Sequence, residues 1–119
     1  ATEQVGLFDE SFFMFSEETD WCYRFHEAGW KVLFDPEAEF VHVGGGTHAG
    51  ALYHENLRGL LRFAAKHYGL EEAERTRRML VRALRLRGAV FRGERGAAYA
   101  EAARWLASAP AERFLQSSA

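Results

Sequence analysis

Residues 12–47, FFMFSEETDWCYRFHEAGWKVLFDPEAEFVHVGGGT, hold the densest run of chemistry in the chain. An aromatic run, an acidic cluster, an amphipathic helix, two strand-like segments, a histidine and three glycines follow one another within it. Ser16 stands where a helix N-cap is expected, its hydroxyl able to accept from a free first-turn amide. Glu17, Glu18 and Asp20 then fall in the first turn, where the helix dipole favours negative charge. Trp21, Phe25 and Ala28 recur at i, i+4 and i+7 with Cys22 beside them, which predicts one buried stripe. Glu18 shares the side of Cys22 and Phe25 and is expected at the rim of that buried face, with Glu17 pointing further outward. Asp20 and Arg24 have the spacing of an i,i+4 ion pair, and Gly29 ends the helix.

Beyond Gly29, residues 31–34 (KVLF) read as a strand stopped by Asp35-Pro36. Residues 39–43 read as a second, with Phe40 and His42 on one face and Val41 and Val43 on the other. Gly44, Gly45 and Gly46 break it. Two short strands do not make a stable sheet alone, so these belong to a larger sheet or pair with another copy of the chain. Upstream, residues 2–8 read as a short helix or turn. Phe12, Phe13, Met14 and Phe15 are too apolar for an exposed loop and are expected to plug a core. Downstream the pattern is helical. Residues 51–68 carry Leu57, Leu60, Leu61, Ala64 and Tyr68 and close at Gly69. Residues 71 to about 88 are arginine-rich, with Met79, Leu80, Ala83, Leu84 and Leu86 interleaved. Residues 93–96 read as a turn, and 97–107 as a further amphipathic helix before Pro110. The fold class expected is α+β and helix-rich, with 1–50 and 51–119 as its two parts.

A chain of 119 residues has the size of one domain with a modest core. Its 48% hydrophobic and 27% charged residues fit a soluble globular protein, and no apolar run approaches the roughly 20 residues that span a bilayer. It begins at Ala1 without a methionine, a start that fits an excised fragment at least as well as a complete gene product. Cys22 is the only cysteine, so no internal disulfide forms; a reducing cytoplasm and a buried structural thiol are expected. The net charge of −2 hides a split: ten acids against two bases through Gly50, then seven acids against thirteen bases. The acidic part suits cations or polar substrates, the basic part anions or an anionic surface.

Two readings compete for each candidate group. First-turn acids serve a helix dipole, or one of them is a general base fixed at a cleft edge. A strand histidine such as His42 is a hydrogen-bonded structural residue, or it is a metal ligand, with His48 a weaker second candidate. His26, His54 and His67 look like surface or packing residues. No HExxH, cysteine pair or Asp-x-Asp occurs, so the chain has no self-contained metal motif, and no complete phosphate loop is present. The arginine-rich segment is a solvated face, or it is a contact for an anionic membrane surface or a lipid phosphate. Nucleic acid fits poorly, because the aromatics lie mostly in the acidic half, away from the arginines.

Taken together, VGLFDExFFMFxEETDWCYRFxEAGWKV (residues 5–32) and AEFVHVGGGT (38–47) resemble the acceptor-side half of family 2 glycosyltransferases of the GT-A fold, rhamnosyltransferase-like members in particular. The resemblance covers about residues 3–47. It implies inverting transfer of a rhamnose-like or other hexose from a nucleotide-sugar to a glycan or lipid-linked acceptor, with a divalent metal (Mg or Mn) steadying the leaving diphosphate. Glu18 takes the place of the family's general base, where Asp is commoner, and Glu17 the acidic position before it. Asp20 and Arg24 fill the later motif positions as an orienting pair, and His42 the place of a metal-reaching histidine. The resemblance further implies that the nucleotide-binding half is missing. A fragment inactive by itself is then expected, cytoplasmic or peripheral on the inner membrane face, with homodimerisation through exposed strand edges open to it. The rival reading is a non-catalytic helical interaction or membrane-docking module.

Overall fold

The computed structural model describes residues 1–39, 41 and 51–116. They form helices α1 (Thr2–Val5), α2 (Glu17–Glu27), α3 (Ala51–Tyr68), α4 (Leu70–Val90), α5 (Gly93–Ala107) and α6 (Ala111–Leu115). Gly69, at φ +90°, is the single residue between α3 and α4. The long pair folds back on itself. Leu57 and Leu61 of early α3 share a core with Val81 and Leu84 of late α4, while Ala64 of late α3 meets Ala73 of early α4. Ala102, Ala103 and Leu106 of α5 and Phe114 of α6 complete that core. Leu61 and Leu106 are fully buried, each contributing about 1.5–3 kcal/mol by leaving water.

Helix α5 begins four residues earlier than the glycines suggest, so residues 93–96 are its first turn and not a separate one. Gly96 is buried there, because a Cβ would stand 2.0 Å from the Phe91 carbonyl oxygen. The glycine marks a close approach, which in sequence looks the same as a turn. The short helix α6 after Pro110 was not expected either. Its N-terminal amide, on Ala111, donates to Glu74 of α4 at 3.0 Å, and Arg77 binds the same carboxylate and the Leu106 carbonyl.

Helices α1 and α2 are joined through side chains. The Trp21 indole donates to the Gly6 carbonyl at 2.9 Å, and Trp30 to the Gln4 amide oxygen at 3.0 Å. Phe8, Trp21 and Phe25 stack in series, with centroids 4.6 and 4.9 Å apart. Helix α2 stops where Gly29 predicts: Gly29 N–H donates to His26 O, and Trp30 N–H to Phe25 O, both at 2.9 Å, which is a complete Schellman pair.

The aromatic run divides. Phe12 is buried, whereas Phe13 is 77% exposed and Met14 is exposed, so only one ring of the run plugs the core. Residues 31–35 have no regular secondary structure, and Val32, Leu33 and Phe34 are exposed. A strand needs a ladder partner, and the described residues offer this one none. Of the second expected strand, Phe40, His42 and Val43 lie outside the described residues, as does the glycine run.

Candidate functional site

The acidic first turn of α2 is reached through an unusual backbone. Phe15 and Ser16 both take left-handed conformations, at φ 71° and 70°. Each costs about 1–2 kcal/mol for a residue with a Cβ. Such a turn persists only where its surroundings fix it. Here α3 does so with Gly59, where a Cβ would come within 2.7 Å of the Phe15 carbonyl oxygen and 2.9 Å of the Ser16 hydroxyl. Ser16 occupies the N-cap position as its sequence predicts, but it is buried and its hydroxyl does not cap the helix.

The rotation of α2 also departs from its apolar pattern. The completely buried residue is Asp20, and Arg24, one turn on, is 21% exposed; Ala28 is exposed and Cys22 only half-buried. Asp20 Oδ2 accepts from Arg24 Nε at 2.8 Å; its Oδ1 accepts from Lys66 Nζ at 2.7 Å and from His67 Nε2 at 2.8 Å. Burial by itself pushes the Asp20 carboxyl up, but hydrogen bonds from Lys66, His67 and Arg24 outweigh it and hold the pKa below its ordinary value. Lys66 also donates to Asp9 Oδ2 at 2.6 Å, and that bond holds Asp9 well below the usual carboxylate range. Desolvation pulls Lys66 down, yet its bonds to Asp20 and Asp9 leave it raised. Arg24 reaches on to the Val5 and Leu7 carbonyls, both at 2.6 Å. Tyr23 packs on His67 and Phe63 of α3, at 4.2 and 5.5 Å between centroids.

The Asp20–Arg24 pair expected from spacing is therefore real, and it is the centre of a larger clamp holding α1, α2 and α3 together. Lys66 and His67 were missed. No spacing rule links residues 46 or 47 apart; the one available signal was that a buried carboxylate needs more donors than a single arginine. His54, which the sequence leaves as a surface or a packing residue, stacks on Trp105 at 4.1 Å and pairs with Glu101 at 3.1 Å.

Glu18 and Glu17 exchange the places predicted for them. Glu18 is exposed, and the Thr19 hydroxyl donates to it at 3.5 Å. Glu17 is half-buried, and its Oε2 is buried with no partner among the described residues. The physical reason is the Asp20 clamp: turning Asp20 and Arg24 inward carries Glu17, which lies on the same side of the helix, inward with them. An exposed carboxylate on a fixed helix start is free to meet a ligand hydroxyl. His42, the expected metal ligand, lies outside the described residues. Among the described residues no group of three or more His, Cys, Asp or Glu side chains is placed to hold a metal ion.

A cleft of about 390 Å³ opens between the loop before α2 and helix α3, lined by Glu10, Phe13, Glu55, Arg58, Arg62 and Gln116 among others. Arg58 pairs with Glu55 and lies 5.4 Å over the Trp105 ring; Arg62 donates to the Ser11 and Leu115 carbonyls. Planar donors and acceptors beside an exposed aromatic ring suit a ligand rich in hydroxyls.

No family model matches the chain, and no solved structure matches it. Over 39 residues it is 46% identical to the N-acetylglucosaminyl-diphospho-decaprenol L-rhamnosyltransferase of Mycobacterium tuberculosis, strains CDC 1551 / Oshkosh and H37Rv alike. That stretch is 33% of this chain and 13% of the relative's length. Over a third of its length, the chain is similar to a glycosyltransferase.

Proposed function

We propose that this chain is the acceptor-side part of an inverting glycosyltransferase, with Glu18 as its general base. The acceptor hydroxyl oxygen attacks the anomeric carbon of a nucleotide-sugar while the bond from that carbon to the diphosphate oxygen breaks. The hydroxyl proton passes to the Glu18 carboxylate, and the nucleoside diphosphate leaves with the bonding electrons. A sugar hydroxyl is a poor nucleophile until its proton has an acceptor, and a fixed, exposed carboxylate supplies one. The carrying observation is the accessible Glu18 on a helix start clamped by Asp20, in a chain similar over 39 residues to an L-rhamnosyltransferase. The name of that relative points to a sugar donor of the rhamnose class and to a lipid-linked diphosphate-sugar acceptor. The cleft beside Phe13, Glu55 and Arg62 supports a hydroxyl-rich acceptor.

These 119 residues contain no Asp-x-Asp pair, so the donor-binding half lies outside them in this reading, and they do not transfer sugar unaided. Residues 31–34 become a strand when one from that half pairs with them. Substituting Glu18→Gln in the intact enzyme should lower turnover about 10²–10⁴-fold with helicity unchanged. Unchanged turnover would leave the chain a non-catalytic helical module.

A further inference from the structure

Helix α4 turns Ala73, Val81 and Leu84 inward. Its opposite side carries two stripes side by side. Arg75, Arg78, Arg82 and Arg85, spaced three, four and three apart, form a line of exposed guanidinium groups. Met79, Ala83, Leu86 and Val90, spaced four, three and four apart, form an exposed apolar line beside it. At about 100° per residue the two lines are centred roughly a quarter-turn apart, on the face away from the core. Met79, Leu86 and Val90 are each more than three-fifths exposed, at 62%, 66% and 65%.

The charge on this face is poorly neutralised. The acids of α4 are Glu71, Glu72 and Glu74, all near its start. Glu72 meets Arg75 at 3.2 Å, and Glu74, bound mainly to Arg77, stands 3.5 Å from Arg78. Arg82 and Arg85 form no ion pair among the described residues. With Arg77, Arg78, Val81 and Ala107 they line a groove of about 250 Å³. Guanidinium groups around an apolar floor match a phosphate head with its acyl chains alongside.

We infer that the outer face of α4 docks this protein on an anionic phospholipid surface, Arg78, Arg82 and Arg85 binding lipid phosphates while Met79, Leu86 and Val90 enter the acyl boundary. An amphipathic helix with arginines beside an apolar stripe lies in the plane of such a surface. No helix among the described residues is long and apolar enough to cross the membrane, so the contact is peripheral. The inference does not depend on Glu18 or on sugar transfer.

The test is co-sedimentation of the full 119-residue chain with phosphatidylcholine vesicles, with and without phosphatidylglycerol. The expected result is partition onto the anionic vesicles alone, undisturbed by free inorganic phosphate. Arg82→Gln with Arg85→Gln should weaken it about 30-fold, from the attraction of two basic side chains to an anionic leaflet. Met79→Ser with Leu86→Ser should remove the part that survives high salt. All four positions are exposed, so helicity should be unchanged. Partition equal on both vesicles, or absent from both, overturns the inference. So does indifference to the arginine substitutions, release by free phosphate, tighter binding to duplex DNA than to vesicles, or a solution dimer whose formation covers Met79 and Leu86.

Discussion

In the bundle of α3 to α6 the largest fully buried side chains are Leu61 and Leu106, set among other apolar groups, whereas in α2 the fully buried side chain is the carboxylate of Asp20. Aliphatic burial is non-directional and tolerates repacking. A carboxylate held by three donors fixes the rotation of its helix within narrow limits, and it fails if one partner is lost. The bundle thus supplies stability, while the clamp supplies placement, and placement is what the base proposed at Glu18 requires.

The largest effect that would sharpen this contrast is Asp20→Ala. It strands Lys66, Arg24 and His67 around a missing anion and should cost about 3–5 kcal/mol. Trp21 fluorescence should report the release of α2 while far-ultraviolet circular dichroism keeps most of the helix signal. Leu61→Ala, at about 2–5 kcal/mol, should instead lower the urea midpoint of the whole bundle. Identical responses from the two variants would break the comparison.

Acid tests the same contrast reversibly. Asp20 and Asp9 are held below their ordinary 3.8, and Glu74 is lowered from 4.5 to about 2 by its bond to Arg77. Groups depressed in the folded state contribute stability that is present above the unfolded pKa and lost as pH falls through the folded one. Lys66 is raised from 10.5, so its share is full below that value and disappears as pH rises through the folded pKa. The clamp should be at full strength between about pH 3.8 and 10.5 and should loosen on either side, while Glu74 gives the α4–α6 contact an acid dependence of its own. A pH titration of Trp21 fluorescence checks both edges: the signal should hold across that window and change as acid is taken well below pH 3.8, and loosening inside the window would contradict it.

Gly59→Ala is the smallest of the three. Its methyl group meets the backbone of Phe15, so the strained turn must shift, at about 1–3 kcal/mol. Under the proposed transfer reaction this shift should lower turnover by moving Glu18 while the bundle's melting changes little.

Local signals carried far in this chain. Tyr68 and Gly69 closed α3, Gly29 closed α2, and the Asp20–Arg24 spacing gave a real pair. Each depends on backbone and side chains within a turn or two, which sequence displays directly. The amphipathic pattern of α2 misled, because Trp21 and Phe25 are only half-buried, covered in part by Phe8, while the polar side faces inward. The glycines at 93 and 96 looked like a turn, but Gly93 supplies a positive φ at the start of α5 and Gly96 a close approach to Phe91, and a chain reversal calls for the same residue.

The sequence by itself determined where the helices α2, α3 and α4 lie, and which residues in their turns bear charge. Tertiary structure alone decided which face of α2 turns inward, that Lys66 and His67 meet Asp20, and that Glu18 rather than Glu17 stands in the open. Those outcomes come from contacts between groups almost fifty residues apart, whose energies depend on direction and distance in space and leave no period in the chain.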